Sequence, residues 1–282
     1  MMKLVQKIAV AYLRQKLRLL SLISPVRTAE HAFNVFSTPQ RRTTGELPGI
    51  FSTAVTIRID FEKYHITGYQ WNKGAGPKAL ILHGFESSAI NFAQYVQPLL
   101  DKGYEVLAFD APAHGRSTGK QMNALIYSNF IKYIDQNFGP IQFFIAHSFG
   151  GLALCLALAE KEATHQRKLA LIAPVTETVS SINIFFEFFH LKSPRVREEF
   201  YKLIIRIGGQ PLAWFSIGRT LASLPYPILW LHDQEDLITP LADALKIKEQ
   251  NRPNIRFVIT KGLGHRRIYR DEEMQKKIID FA

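Results

Sequence analysis

The chain has 282 residues, of which 47% are hydrophobic and 21% charged, and it contains 20 Phe and 10 Tyr. That is enough apolar material for a large core, so the composition excludes a chain that is disordered throughout. The single cysteine, Cys155, excludes an intramolecular disulfide and a cysteine-based zinc or iron–sulfur site. A length of this size predicts one α/β core with one insertion.

The net charge of +11 is concentrated at the start of the chain. Residues 1–42 hold eight basic side chains against one acidic one, Glu30, which is a net +7. Nucleic-acid binding instead needs a basic patch on the folded body. We therefore expect no nucleic-acid partner.

Residues 1–24 form the first predicted element. Four basic residues fall on one narrow face of a helix here, and they are Lys3, Lys7, Arg14 and Arg18. Apolar residues cover much of the opposite side, which predicts a basic amphipathic helix that ends at Pro25. Two alternatives remain open for this helix: it docks on the body or on a partner subunit, or it makes peripheral contact with a membrane surface.

The same segment does not have the pattern of a membrane span or of a targeting signal. No apolar run reaches the roughly 18 residues that a spanning helix needs. Charges interrupt the apolar stretch, and no small-residue cleavage site follows it. We expect the segment to stay on the mature protein and the protein to be cytoplasmic.

From residue 51 the pattern changes to strands. Two alternating segments, FSTAVTIRID and YHITGYQW, predict an antiparallel pair at a sheet edge. Continuous apolar runs then alternate with helical stretches, and these runs are KALILHGF, YEVLAFDAP, IQFFIAHSF, KLALIAP, PILWLHD and IRFVIT. Such runs are typical of parallel strands buried on both faces. The predicted fold is an α/β, mostly parallel, doubly wound sheet of about eight strands.

One interval in this series is too long for a single crossover helix. About 50 residues separate Pro174 from Pro225, and they include the aromatic run FFEFF at 185–189. We expect a helical cap at about 176–224, inserted into a main domain of residues 51–282, with the N-terminal helix and a linker in residues 1–50. The adjacent rings are too many for one helix face, so some are expected to line the site and others to pack in the core.

The third of the buried runs carries the strongest chemical signal. It leads directly into His147-Ser148-Phe149-Gly150-Gly151 and then into a helix rich in Leu and Ala. A sharp strand-to-helix turn needs small residues on both sides of its apex, and Ala146 and Gly150 meet this need. The turn would lift the Ser148 hydroxyl out of the sheet, beside backbone N–H groups at the start of a helix. The alternative is a structural turn with an incidental serine.

This segment resembles the nucleophile elbow of the α/β-hydrolase family, Gly-x-Ser-x-Gly, with Ala146 in place of the first Gly. Two further segments, LILHGF and FDAPAHGRS, are similar to family loops, and the resemblance covers about residues 51–282. It implies a serine esterase or lipase-like hydrolase with a helical cap. In that family, Asp110 and His114 support loops and take no part in the reaction.

A serine nucleophile needs a base, and the base needs an orienting acid. His265 follows the last predicted strand in a glycine turn, and Asp236 lies after the strand before it, as the family order Ser, Asp, His implies. The separations are 88 residues from Ser148 to Asp236 and 29 from Asp236 to His265. Three other acids remain open as alternatives, and these are Asp233, Glu235 and Glu177. His147 is expected to pack or form a hydrogen bond at the elbow.

The resemblance also implies an oxyanion hole formed by the backbone N–H groups of Phe85 and Phe149. The chain has no glycine-rich phosphate loop and no metal-ligand spacing, so we expect neither a cofactor nor a metal. Cys155 is expected to be a core residue.

The implied function is hydrolysis of a small-molecule carboxylic ester or thioester with an apolar acyl group, through an acyl-enzyme intermediate. A serine peptidase or amidase on small substrates is one alternative, with Glu177 or Glu187 as an anchor for a peptide N-terminus. A member of the fold that binds without turnover is the other.

Overall fold

A computed structural model of the chain describes residues 4–160 and 165–282. Its eight strands are β1 (Val55–Phe61), β2 (Tyr64–Trp71), β3 (Lys78–Leu82), β4 (Glu105–Phe109), β5 (Phe143–His147), β6 (Lys168–Ile172), β7 (Ile228–Asp233) and β8 (Ile255–Thr260). They form one sheet in the order β1-β2-β4-β3-β5-β6-β7-β8. β2 is antiparallel to β1 and to β4, and all other neighbouring strands are parallel. The predicted fold class and the antiparallel edge pair are confirmed.

Helices surround this sheet. The α-helices are α1 (Leu4–Ile23), α2 (Pro25–Ser37), α3 (Val96–Asp101), α4 (Ala124–Phe138), α5 (Phe149–Ala159), α6 (Thr178–Phe188), α7 (Pro194–Gly208), α8 (Ile217–Thr220), α9 (Leu241–Lys248), α10 (Gly264–Arg267) and α11 (Glu272–Phe281). Short 3₁₀ turns lie at Gly49–Thr53, Ala89–Tyr95, Leu212–Trp214 and Leu221–Ser223.

The sheet is buried on both faces, which explains the continuous apolar runs of its strands. Every residue of β4, β5 and β7 is buried. One core packs α4 and α5 against the sheet, with Phe130 and Leu154 among its residues. A second core on the other face contains Leu99 of α3 and Ile278 of α11. Because β3 to β8 are parallel, their carboxyl ends lie along one edge, where such sheets place their sites.

The long interval between β6 and β7 is helical. It contains α6, α7, α8 and two 3₁₀ turns. Ser193 caps α7 with its side chain, and Pro194 follows at the first helical position. Gly209 then ends this helix in the left-handed conformation, with φ of 62°.

The N-terminal segment contains one helix more than expected. The linker predicted after Pro25 begins with α2, because proline is favourable in the first turn of a helix. The Ser24 hydroxyl caps this helix by accepting a hydrogen bond from the Arg27 N–H, at 3.3 Å. Pro25, which was predicted to end α1, therefore also begins α2.

The α1 helix packs on the body through a side other than the apolar face that was predicted opposite to its basic residues. On this inner side, Leu17 is 1% exposed and belongs to the main core. Arg14 also lies on this side, where its Nε donates a hydrogen bond to the Phe188 carbonyl oxygen at 2.8 Å. Lys3 lies outside the described residues. No described helix is long and apolar enough to cross a membrane.

We expect Leu17→Ala to lower the free energy of unfolding by about 2–4 kcal/mol, because it leaves a cavity where α1 meets the core. The matched change Leu22→Ala removes a side chain that is 80% exposed on the same helix. It is expected to alter stability by no more than about 0.5 kcal/mol. Urea denaturation of the full chain measures both values, and equal effects would contradict the docking of α1 through Leu17.

Candidate active site

Ser148 lies at the apex of a sharp turn between β5 and α5. Its backbone has φ of 54° and ψ of −120°, a left-handed conformation that non-glycine residues rarely adopt. The turn leaves no room for larger neighbours, since a Cβ on Gly150 would lie 2.7 Å from the His83 carbonyl oxygen. A Cβ on Gly84 would lie 2.8 Å from the Ser148 Cβ. The strain and the small residues together present the hydroxyl at the carboxyl edge of the sheet.

His265 lies beside this serine. It belongs to α10, directly after β8, and its Nε2 is 3.0 Å from the Ser148 Oγ. On its other side, Nδ1 donates a hydrogen bond to the Asp236 Oδ2 at 2.8 Å. The structure therefore brings together the serine, the histidine and the acid that were predicted from separate segments.

The Asp236 carboxylate is held from several directions. Its Oδ1 accepts hydrogen bonds from the N–H groups of Ile238 at 2.8 Å and Thr239 at 2.9 Å. Its Oδ2 accepts from the Thr239 hydroxyl at 2.7 Å as well as from His265. Burial alone would raise the pKa of Asp236, but the hydrogen bonds and charge of His265 and the contacts with Thr239 lower it to about 2. The group is ionised at neutral pH.

The alternative acids lie elsewhere. Asp233 accepts hydrogen bonds from the Thr260 hydroxyl at 2.7 Å and from the Leu263 N–H at 3.0 Å, so it holds the loop that carries His265. Glu177 accepts a hydrogen bond from the Ser216 hydroxyl at 2.7 Å. Glu235 is exposed. Among these acids, the contacts of His265 favour Asp236.

Phe85 and Phe149 lie on two sides of the serine. Phe149 is the first residue of α5, where an N–H has no acceptor within the helix. Phe85 follows Gly84, whose close approach to Ser148 places this loop at the elbow. The two phenyl rings meet edge to face, with centroids 6.0 Å apart.

His147 supports the backbone of the loop that carries His265. Its Nε2 donates a hydrogen bond to the His265 carbonyl oxygen at 3.0 Å, and the two imidazole rings lie 4.7 Å apart. Its Nδ1 is buried without a partner. Burial, and then the charge of His265, hold the pKa of His147 well below the usual value for histidine. A neutral His147 thus fixes the backbone of the neighbouring histidine loop, as its predicted hydrogen-bonding role requires.

The loops next to the elbow are fixed by buried polar groups. The Asp110 carboxylate accepts hydrogen bonds from the N–H groups of Ala89 at 2.9 Å and Arg116 at 2.8 Å. His83 accepts a hydrogen bond from the Ala111 N–H through Nε2 at 2.9 Å and donates to the Gly84 carbonyl through Nδ1 at 2.8 Å. Asp110 supports loops as the resemblance implies.

A cavity of about 490 Å³ opens beside Ser148. Its walls are mostly apolar and come from several helices, with Phe33, Phe36, Leu125, Ile184, Phe185, Phe188, Ile204, Ile207 and Phe215 among them. The rings of Phe36 and Phe185 pack edge to face at 5.2 Å. The contribution of α2 was missed in the sequence because it depends on how this helix docks.

The aromatic run of α6 divides between two environments, as predicted. Phe185 and Phe188 line the cavity. Phe186 is 1% exposed and packs edge to face on Phe200 at 5.2 Å, and Phe189 is also buried. Glu187, on the same helix, is exposed. Neither Glu187 nor Glu177 lines the cavity.

Cys155 belongs to α5 and lies in the hydrophobic core, where burial raises the pKa of its thiol to about 12. Within residues 4–160 and 165–282, no three His, Cys, Asp or Glu side chains are grouped closely enough to hold a metal ion.

The chain belongs to the alpha/beta hydrolase family, whose model matches residues 79–276. Among solved structures, it is similar to the Pyrococcus furiosus esterase Pf2001, with 23% identity, a TM-score of 0.65, and coverage of 87% of this chain and 96% of that one. A predicted CIB-like hydrolase from Thermoplasma acidophilum has 15% identity, a TM-score of 0.59, and coverage of 81% and 97%. The thioesterase domain from the curacin biosynthetic pathway has 18% identity, a TM-score of 0.57, and coverage of 80% and 99%. At these identities the likeness is one of fold. A search of curated protein sequences found no match.

The buried histidines around the site predict a loss of stability in mild acid. Burial lowers the pKa of His83 to about 4 and that of His114 to about 3, whereas both would titrate near 6.5 in the unfolded chain. Below pH 6.5 the unfolded state therefore binds more protons, and each of these histidines lowers the free energy of unfolding by about 1.4 kcal/mol per pH unit until its folded pKa is reached. Urea denaturation at a series of pH values measures this slope. A constant stability between pH 7 and pH 4.5 would contradict it.

Proposed function

We propose that this protein is a serine hydrolase that cleaves carboxylic esters or thioesters with an apolar acyl group. The observation that carries the proposal is the contact of Ser148 Oγ with His265 Nε2 at 3.0 Å, with Asp236 on the opposite side of the imidazole at 2.8 Å. Nucleophile, base and orienting acid in this arrangement are the parts that acyl transfer requires.

In the proposed mechanism, the ionised Asp236 holds the His265 proton on Nδ1, so that Nε2 is free to accept the proton of Ser148. Ser148 Oγ attacks the substrate carbonyl, and the N–H groups of Phe85 and Phe149 stabilise the oxyanion. His265 then donates its new proton to the leaving alcohol or thiol, which leaves an acyl-enzyme. A water molecule, deprotonated by His265, then attacks the acyl carbonyl, and the bond to Ser148 Oγ breaks as His265 returns the proton to that oxygen, which releases the acid.

The cavity walls support an apolar acyl group. Ser148 is one of the residues that line the cavity, so an acyl chain bound there would have its carbonyl carbon at the nucleophile. Burial of each methylene contributes about 0.8 kcal/mol. The helical insertion, as a cap, would supply α6 and α7 to these walls, and α2 would complete them. A peptide anchor in Glu177 or Glu187 gains no support, which favours esters over peptides.

Three substitutions test the triad. Ser148→Ala and His265→Ala are each expected to lower kcat by about 10⁴-fold or more, and the double variant by little more, because the two residues act as one unit. Asp236→Asn is expected to lower kcat by about 10³- to 10⁴-fold, since an amide would favour the wrong tautomer of His265. Hydrolysis of p-nitrophenyl esters and labelling by a fluorophosphonate probe measure these effects.

The control for the acid is Asp233→Asn, which removes a charge from the same loop region without touching His265 Nδ1. A folded Asp233→Asn variant that lost more activity than Asp236→Asn would contradict the assignment of the acid. Absence of both labelling and hydrolysis in the folded wild-type protein would instead favour a member of the fold that only binds.

A series of p-nitrophenyl esters from acetate to decanoate tests the acyl group. We expect kcat/KM to rise about fourfold per added methylene until the cavity is filled. Ile184→Ser combined with Phe188→Ser places hydroxyls in the cavity wall, and it should lower the ratio of decanoate to acetate by about tenfold.

Val179→Ser is the matched control, because Val179 lies on the same helix, is 37% exposed and does not line the cavity. It should leave the chain-length profile unchanged. An identical profile in the double variant would show that these residues do not contact the acyl chain.

A further inference from the structure

The α1 helix has a second apolar face, opposite to the one that packs on the body. Its members are Ile8, Tyr12, Leu19 and Ile23, which are 61%, 66%, 54% and 81% exposed. At 100° per residue they fall within one narrow sector, on the opposite side from Leu17. They extend about 22 Å along the helix axis at 1.5 Å per residue. We call these four residues the outer face of α1.

Positive charge borders this outer face. At 100° per residue, Lys16 lies on one border, about 50° from the centre of the outer face. Arg18 and Lys7 lie further round the helix, about 110° and 130° from that centre, and all three side chains are exposed. Arg27, at the start of α2, adds another exposed charge. The first acidic residue of the chain is Glu30, so α1 contains none. The aliphatic parts of the long basic side chains can lie along the apolar residues while their charges reach outward.

We propose that the outer face of α1 binds the surface of an anionic lipid bilayer, with the helix lying in the interface. Apolar residues would enter the boundary of the acyl chains, Tyr12 would lie at the level of the headgroups, and the bordering cations would contact lipid phosphates. Each basic residue near such a surface raises the partition coefficient about fivefold. A second copy of the chain is a poorer occupant, because its own cations would be brought against these.

The position of α1 connects this surface to the cavity. On the inner side of the same helix, the Arg14 guanidinium lies over the Phe188 ring at 4.9 Å, and Phe188 lines the cavity. A bilayer on the outer face would therefore lie about one helix diameter, 10–12 Å, from a cavity wall. Supply of acyl substrates from the bilayer rests on the proposed function, whereas binding of the bilayer does not.

Flotation of the full chain with lipid vesicles tests the surface. Wild-type protein should float with phosphatidylcholine vesicles that contain phosphatidylglycerol, and much less with phosphatidylcholine alone or at high salt. The double variants Leu19→Ser, Ile23→Ser and Lys16→Glu, Arg18→Glu should each bind anionic vesicles at least tenfold more weakly. Ser148→Ala should bind as wild type does, which separates this test from that of the proposed function.

Matched controls change the same residue types elsewhere on the surface. The pair Leu47→Ser, Val55→Ser alters two exposed aliphatic residues, and Lys73→Glu, Lys120→Glu reverses two exposed charges. Both should bind as wild type does, and thermal unfolding should show all variants folded.

Three results would overturn the proposal. One is equal flotation with anionic and neutral vesicles, and another is undiminished binding by Leu19→Ser, Ile23→Ser. The third is a lack of vesicle binding together with a dimer in sedimentation velocity that this variant abolishes, which would assign the outer face to a second copy.

Discussion

The hydrogen bond between the Asp236 carboxylate and His265 Nδ1 is the contact on which the geometry of the site depends. It joins the loop after β7 to the loop after β8, and it fixes which nitrogen of the imidazole faces Ser148. The bond persists because the carboxylate remains ionised although it is buried, with backbone N–H groups and a hydroxyl satisfying its other lone pairs. A second carboxylate, Asp233, holds the histidine loop by its backbone. One acid thus orients the side chain and the other holds the loop.

The parallel sheet makes this arrangement possible. β5, β7 and β8 end at the same edge, so residues 88 and 29 positions apart in the chain meet within hydrogen-bond distance. Buried strands on both faces give these three loops a rigid base. His147 strengthens this rigid base, because it belongs to β5 and forms a hydrogen bond with the backbone of His265, beyond the end of β8. The strain at Ser148 is tolerated because such packing surrounds it.

The sheet and the sharp turn at Ser148 could be predicted because their signals are local. Buried parallel strands appear as apolar runs, and the elbow needs Ala146 and Gly150 next to Ser148, whatever the rest of the chain does. The choice among Asp233, Glu235 and Asp236 needed the structure, since three acids within four positions differ only in where their side chains point. The role of α2 could not be predicted, because Phe33 and Phe36 reach the cavity only through tertiary docking. The side of α1 that meets the core could not be predicted for a related reason: the helix is apolar on two sides, and periodicity alone does not show which one packs on the body.

Two parts of the molecule therefore have separate physical tasks. The sheet and its loops hold polar atoms within about 3 Å of each other, which requires rigidity and leaves little freedom in sequence. Much of the cavity wall comes from α2, α4, α6 and α7, whose side chains need only be apolar and of suitable size. Substitutions in these helices can change the shape of the cavity without disturbing the hydrogen bonds of Asp236 and His265. Since α1 packs on α2 and contacts Phe188 of α6 through Arg14, any partner that bound its outer face would act on the walls of the cavity before it acted on Ser148, His265 and Asp236.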